Sequence, residues 1–477
     1  MLLGESYRIV TLWVALPLIC LLCLRWTGFD GMVGQDSYAY VDQAYLMQSD
    51  LIAGWYNSSF RWPVGYPFLG VIMSLLGWTI PLAMQMVSCL GMGGLLLVTY
   101  KLLGKIYPNE STGNSISYLI LFLFLAPFIF RNAMLTMSDI PAAFLILSSI
   151  YLGMQFYNRG KYRFLILGVL SLILACWVRY AAFLFTLPLG VFYFAGLRRK
   201  HHLPLWWFGI IPLFLVMLYI IFFNQIQNLY SHNAIQHWSI ANFFKHTHIT
   251  QQGNNSYWLP NVIYVWYPFF HYGFSWFCLI FLVINHRRLN VFYVVVIGLI
   301  YLCYVFFIAG LDAQNTRYLL PVYPLVLVLA YPGYNTFMIW MKQRKMLLPA
   351  MVFIFLVQMV FTVFSFRTLF YRNALEREIT GYLNDNWVGD IAQPAYLYSF
   401  DIDIALQSRG VPYQIINLWE KPISIFQKGS LVLFNEQKLA VQWRDQNPML
   451  NWRRLQANNG LEKIVEFTGH WILYKID

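Results

Sequence analysis

Carboxylates are scarce along most of this chain and are gathered where they occur. The first 366 residues hold eight acidic side chains, and four of them, Asp30, Asp36, Asp42 and Asp50, fall in one loop. That loop spans about 27–63 and leads into Arg61-Trp62-Pro63-Val64-Gly65-Tyr66-Pro67. A fifth, Asp139, opens a later apolar stretch in Ser138-Asp139-Ile140-Pro141. A carboxylate in such a place can take a proton from an attacking hydroxyl or bind a cation. Asp36 follows Gly31 and Gly34, and the residues after Ser37 read as a short amphipathic helix. Near the start of a helix a carboxylate stays ionised. A plain N-cap is the blander role for Asp36. Asp139, with Pro141 two residues on, has the same two readings.

The elements that must position these groups are set by composition. The chain is 59% hydrophobic and 11% charged, where a soluble protein averages about 25% charged residues. Apolar runs long enough to cross a ~30 Å hydrocarbon core recur up to about residue 366. The fold class expected is therefore a polytopic α-helical membrane protein. Spans are predicted at about 9–26, 81–100, 115–131, 139–157, 164–178, 180–197, 204–224, 261–284, 291–310, 318–340 and 346–366, eleven in all. The first reads as a retained anchor rather than a cleaved signal. The segment 64–78 is apolar but short, and Pro63, Gly65 and Pro67 open it.

Charge decides whether 64–78 crosses. Residues 1–366 carry 20 Lys and Arg, and residues 367–477 carry equal numbers of basic and acidic groups. If 64–78 does not span and the N-terminus is cytoplasmic, 14 of those 20 fall in inner loops, as the positive-inside rule requires. If it does span, most basic clusters lie outside. The first arrangement puts the 27–80 loop, Asp139, the 225–260 loop, Arg317 and the tail 367–477 on the outer face. Orientation accounts for most of the basicity, so no nucleic-acid partner is called for.

Six basic residues depart from that rule: Arg25, Arg61, Arg131, Arg179, Lys245 and Arg317. Snorkelling to headgroups explains any one of them. Together they suit an anionic group, since the guanidinium fork binds phosphate through two donors. Arg179 and Arg317 are the strongest candidates, because each abuts a tight turn between apolar stretches.

The tail, 367–477, reads as a small soluble α/β domain. Strands are predicted at Ala395–Ser399, Tyr413–Ile416, Leu431–Phe434, Ile464–Phe467 and His470–Tyr474, with helices near Asp401–Ser408 and Glu436–Gln442. All six cysteines lie in apolar stretches and none in the tail, which points to packing rather than a disulfide framework. His232, His237, His246 and His248 share one polar loop but match no standard zinc spacing.

Taken in order, Asp36, the Arg61–Pro67 run, Ser138-Asp139-Ile140-Pro141 and Arg317-Tyr318-Leu319-Leu320-Pro321-Val322-Tyr323-Pro324 resemble the GT-C superfamily of integral-membrane glycosyltransferases. The branch they resemble is that of bacterial relatives of the dolichyl-phosphate-mannose protein mannosyltransferases and of lipid A aminoarabinose transferase. The resemblance covers about residues 1–330. It implies an inverting transferase that uses a polyprenyl-phosphate sugar at the outer face of the plasma (inner) membrane. The acceptor would be a glycan, lipid or protein. Asp36 matches the first-loop catalytic aspartate, Asp139 the second-loop acidic residue, and 64–78 the juxtamembrane helix. On that footing Asp36 is the general base. Arg317, Arg179 or Arg61 holds the donor phosphate, and Asp139 positions Asp36, the acceptor or a cation. Asp30, Asp42, Tyr318 and Tyr66 are secondary candidates. The adjacent acidic pair often seen in the family's first loop is absent, since Ser37 follows Asp36. A metal role therefore lacks its usual ligands, and a divalent cation is left open.

Two other classes compete. A polysaccharide polymerase or ligase shares outer loops and arginines, but it does not call for a folded tail. A lipid-linked-sugar transporter usually places ionisable groups at mid-membrane, and the spans here carry no mid-span Asp, Glu or Lys.

Overall fold

The long apolar stretches are helices, as they must be where no water is present to satisfy backbone groups. The computed structural model describes residues 2–57, 59–201, 216, 238–250, 253–275, 277–284, 291–312, 314–386 and 395–477. The chain opens with α1 (Leu2–Trp26), α2 (Gly34–Ser49), the short α3 (Leu51–Trp55) and α4 (Gly65–Ser74). α5 (Ile80–Ile106) packs against both α1 and α4. Next come α6 (Thr112–Leu119), α7 (Pro127–Ala133), α8 (Asp139–Arg159), α9 (Tyr162–Val178) and α10 (Thr186–His201). Three short helices follow: α11 (Asn261–Tyr264), α12 (Tyr267–Phe270) and α13 (Phe277–Ile284). α14 (Val291–Ala309), α15 (Tyr323–Gln343) and α16 (Leu347–Asp385) complete the bundle.

Among the described residues, six helices are long and apolar enough to cross a membrane, or seven if one bent pair counts as a span. The bent pair is the predicted span 115–131. A π-helical turn at Ile120–Phe124 interrupts it, and α7 leaves at 76°. Gln358 Nε2 donates to the Leu121 carbonyl at 3.0 Å, and Thr362 Oγ1 to the Leu125 carbonyl at 2.6 Å. Those two polar residues of α16 thus supply partners where the ordinary helical ladder is broken.

The segment 64–78 forms only the 10-residue α4, about 15 Å of helix and half a ~30 Å core. The stretch 261–284 was expected as one span and is instead α11, α12 and α13. Part of the irregular backbone between them, at Gly273–Ser275, is buried, and neighbouring segments bond to this stretch. The Phe128 N–H donates to the Gly273 carbonyl at 2.8 Å. Asn261 Nδ2 donates to the carbonyls of Asn242 (2.8 Å) and Leu311 (3.1 Å). Non-helical backbone at membrane depth is tolerated under that condition. The expected span 204–224 lies outside the described residues, as do His232 and His237. The 247–256 segment carries a small hairpin, β1 (Thr247–Thr250) with β2 (Gly253–Ser256).

α16 does not stop near residue 366 but continues to Asp385 and delivers the chain to a five-stranded mixed sheet. The strands are β3 (Tyr396–Ser399), β4 (Gln414–Asn417), β5 (Leu431–Phe434), β6 (Leu461–Phe467) and β7 (Trp471–Ile476), in the order β4-β3-β5-β7-β6. β3 pairs parallel with β4 and β5, and the β5–β7 and β6–β7 pairs are antiparallel. α17 (Asp403–Ser408), α18 (Glu436–Gln442) and α19 (Asn447–Asn458) flank it. α19 was not expected. Its apolar stripe, Met449, Trp452 and Leu455, is buried but narrow among charged neighbours.

One apolar core ties this sheet to the first loop. Tyr38, Val41 and Met47 of α2 and Tyr66 of α4 share it with Leu397, Ile402, Leu406, Leu433 and Trp471.

Candidate active site

The cluster is assembled from helix ends that are distant in sequence. Gly31, at φ +81°, starts the turn that leads into α2, and a Cβ there would sit 2.5 Å from Gln85 Nε2. The Gly31 carbonyl accepts from the Thr136 N–H at 3.0 Å, pinning the loop next to the start of α8. Asp36 is in the first turn of α2, but the N-cap is Val33 and it makes no side-chain cap. The Asp36 carboxylate is turned elsewhere.

It is turned toward Arg317, which lies in a 3₁₀ turn at Thr316–Leu319. Arg317 Nη1 donates to Asp36 Oδ2 at 2.6 Å. The same guanidinium reaches Asp139 Oδ2 through Nη2 at 2.9 Å and Nε at 3.2 Å, and Nη2 also contacts Met137 Sδ at 3.3 Å. Arg179 sits at the break between α9 and the 3₁₀ turn Tyr180–Phe185. Its Nη2 lies 2.8 Å from Asp139 Oδ1, and its Nη1 donates to Ser138 Oγ at 3.2 Å. Ser138 Oγ is 2.9 Å from the Tyr40 hydroxyl, one turn along α2 from Asp36. The result is a closed set of two carboxylates and two guanidinia.

Exposure separates the members. Asp139 is fully buried, whereas the Asp36 side chain is 26% exposed. Asp36 Oδ2 is taken by Arg317, and Oδ1 carries no hydrogen bond among the described residues. Burial opposes the charge on Arg317, but Asp139 and then Asp36 more than offset it and hold the guanidinium above its ordinary value. Arg317 stands between the two carboxylates, where a bridging cation would have to sit. Among the described residues no group of three His, Cys, Asp or Glu could hold a metal ion. These side chains therefore form an ion-pair cluster and do not fit a divalent-cation site.

The other candidates fall in different places. Arg61 is exposed and forms no ion pair among the described residues. Its neighbours Phe60 and Trp62 pack on Tyr40, with ring centroids 6.0 and 5.9 Å away. Gly65 explains the tight run after Arg61, because a Cβ there would meet the Trp177 carbonyl oxygen at 2.4 Å. Tyr66 is buried and its hydroxyl is committed to the Met84 carbonyl (2.9 Å) and Ser88 Oγ (2.7 Å). Tyr318 is half-buried and its carbonyl accepts from the Tyr304 hydroxyl at 2.5 Å. His246 is exposed, with Nδ1 3.3 Å from the Tyr257 carbonyl.

Asp30 and Asp42 face away from the cluster, toward the C-terminal domain. Asp30 Oδ1 accepts from the Met32 N–H at 3.0 Å and from Asn373 Nδ2, and Oδ2 accepts from Arg409 Nη1 at 2.8 Å. Ser408 Oγ donates to Asp42 Oδ2 at 2.6 Å. Arg409 Nε donates to the Tyr38 hydroxyl at 3.1 Å, and that hydroxyl donates to Glu376 Oε2. Arg372 bridges Glu376 Oε1 (2.5 Å) and Asp401 Oδ2 (2.8 Å). Lys438 closes the chain on Asp401 at 2.5 Å. The arginines of this second network lie in the tail, where nothing in the local sequence marked them. Asp30, which pairs with Arg409, and Asp42, which pairs with Ser408, were expected as secondary members of the site and instead tie the first loop to the tail.

Arg131 stood among the six outer basic residues but was not singled out as a phosphate candidate. It lies in the last turn of α7 with its guanidinium 4.8 Å from the Phe128 ring centroid, close enough to feel the charges of Arg317 and Asp139. It forms no ion pair among the described residues. Its place among the misplaced outer arginines was the available signal.

Solved structures share this fold. ArnT from Cupriavidus metallidurans in the apo state superposes with a TM-score of 0.57 at 13% identity, covering 97% of this chain and 98% of that one. The same protein bound to undecaprenyl phosphate gives 0.56 at 14% identity, with the same coverage. An oligosaccharyltransferase from Archaeoglobus fulgidus aligns at a TM-score of 0.41 and 10% identity over 87% of this chain and 66% of that one, too loosely to argue from. No protein-family model and no curated protein matches the sequence.

Proposed function

We propose that this protein is an inverting glycosyltransferase that moves a sugar from a polyprenyl-phosphate donor to an acceptor hydroxyl at the outer face of a bacterial inner membrane. The observation that carries the reading is Asp36: one oxygen anchored by Arg317, the other without a hydrogen bond among the described residues, on a helix held at the mouth of a buried ion-pair cluster. Supporting it is a fold shared end to end with a protein solved with undecaprenyl phosphate bound. The predicted topology goes with this reading: eleven spans, a cytoplasmic N-terminus, residues 1–366 as the membrane domain and 367–477 outside.

The acceptor oxygen attacks the anomeric carbon as its proton passes to Asp36 Oδ1. The bond from that carbon to the phosphate oxygen breaks, and its electron pair leaves with the polyprenyl phosphate. Attack opposite the leaving group inverts the centre. Asp139 fixes Arg317 and Arg179, and Arg317 in turn orients Asp36. The growing negative charge on the phosphate calls for cations with unspent donors. Arg61 and Arg131, which form no ion pair among the described residues, suit that task, with Arg179 and Arg317 behind them.

The test is transfer from a panel of radiolabelled polyprenyl-phosphate sugars by purified wild type and Asp36→Asn. Asp36→Asn should insert and fold, bind donor, and lose roughly 10³-fold in turnover. Equal turnover by the two proteins would sink the base assignment. Donor-independent binding of a soluble polysaccharide chain would favour the polymerase class instead.

A further inference from the structure

We propose that the C-terminal domain sets the position of Asp36 through Arg409, which acts as a positioning residue on the opposite face of α2. The inference rests on the reading of Asp36 as the base. Residues two apart on a helix are about 200° apart around its axis, and residues four apart share a face. Asp36 and Tyr40 make one such pair, and both reach the ion-pair cluster at Arg317 and Ser138. Tyr38 and Asp42 make the opposite pair, and both are held from the C-terminal domain, by Arg409 and Ser408. α2 is thus gripped on two sides by parts of the chain 98 to 371 residues away.

Arg409 is the centre of the second grip. Its Nη1 holds Asp30, just before α2, and its Nε holds Tyr38 within it, with the guanidinium 5.5 Å from the Tyr38 ring centroid. Two points on one segment, bound by one rigid planar group, fix both its height and its rotation. The Tyr38 hydroxyl passes the constraint on to Glu376 of α16. Arg409 Nη2 is buried and has no hydrogen-bond partner among the described residues. A joint that tolerates an orphan donor gains little in stability over an apolar seam. What it supplies is register, and register matters at Asp36, since a misplacement of about 1 Å at a reacting group can cost about 10²-fold in rate.

The experiment uses full-length Arg409→Ala, Arg409→Lys and the milder Tyr38→Phe, each read by transfer kinetics and by amide hydrogen exchange over 34–49. The expected result for Arg409→Ala is a kcat loss of roughly 10²-fold, a donor KM within about twofold of wild type, and faster exchange confined to α2. Arg409→Lys, which keeps a charge opposite Asp30 but loses the fork, should fall between. If Arg409→Ala fails to fold, Tyr38→Phe carries the same test. An unchanged kcat, a rise in donor KM alone, or loss of protection across the whole chain would each overturn the proposal. If wild type transfers no sugar, the base assignment fails by itself. The grip is then read from exchange: unchanged protection over α2 overturns it, and selective loss upholds it.

Discussion

On one face of α2, Arg317 and Arg179 bracket Asp139, and Arg317 reaches on to Asp36. On the other, Arg409 and Arg372 alternate with Asp30, Glu376 and Asp401. Both systems balance positive against negative charge, and both are largely buried. They differ in what is left over. Both oxygens of Asp30 are taken, as are both of Glu376. On the first face Asp36 keeps one oxygen open and a quarter of its side chain exposed. A network whose acceptors are saturated has nothing to offer a ligand and serves as a joint. A network that stops one acceptor short, at a surface, has chemistry to offer.

Substitutions can sharpen or break that contrast. The largest stability effect is expected at Asp139, the fully buried member of the first cluster. Asp139→Asn leaves Arg179 and Arg317 without their shared counter-charge, which should cost about 3–5 kcal/mol, read as a lowered unfolding midpoint in detergent. A near-neutral result would mean that water reaches the cluster freely and that the two faces are equivalent.

Next in size is a pH effect beside the joint. Burial pushes the Asp403 carboxyl up to about 6, with its neighbour Asp401 adding to the rise and Asn417 Nδ2, at 2.6 Å, opposing it. The unfolded carboxyl titrates near 3.9, so between about pH 4 and 6 the folded chain holds the extra proton. Stability should then fall as pH rises through that window and level off above it, by at most about 3 kcal/mol. Asp403→Asn should flatten this slope in unfolding measured from pH 4 to 8. An undiminished slope would place its origin elsewhere.

The smallest effect expected is at Arg131. Arg131→Ala removes a cation that forms no ion pair among the described residues, and should raise donor KM by roughly tenfold, about 1.4 kcal/mol, with kcat little changed. A fall in kcat at constant KM would instead give Arg131 a role in the reaction step.

Much of this was legible along the chain. Scarcity made the acidic loop stand out, because carboxylates are costly near hydrocarbon and persist where something uses or neutralises them. The five tail strands lie within a few residues of where alternation and turn residues put them. Three features were not legible, for separate reasons. The 261–284 stretch is largely apolar, and its breaks are tied to partners elsewhere: Phe128 N–H donates to the Gly273 carbonyl, and the carbonyls of Asn242 and Leu311 accept from the Asn261 side chain. α16 passes residue 366 without a break because helix continuity does not require continued hydrophobicity once the sheet packs on it. α19 shows too narrow an apolar stripe to separate from a polar loop.

By itself the sequence determined the class of fold and the existence of a folded tail, and its charge balance is what leads one to expect Asp36, Asp139, Arg179 and Arg317 on the outer face. Those follow from burial and periodicity, which are local properties read residue by residue. Only the tertiary structure decided which carboxylate meets which guanidinium. Asp30 and Asp36 are alike in sequence, six residues apart in one loop, yet one is saturated and the other open. Asp30 lies in the turn before α2 and Asp36 in the helix's first turn, so the chain aims them at different partners, Arg409 and Arg317, which come from segments hundreds of residues away.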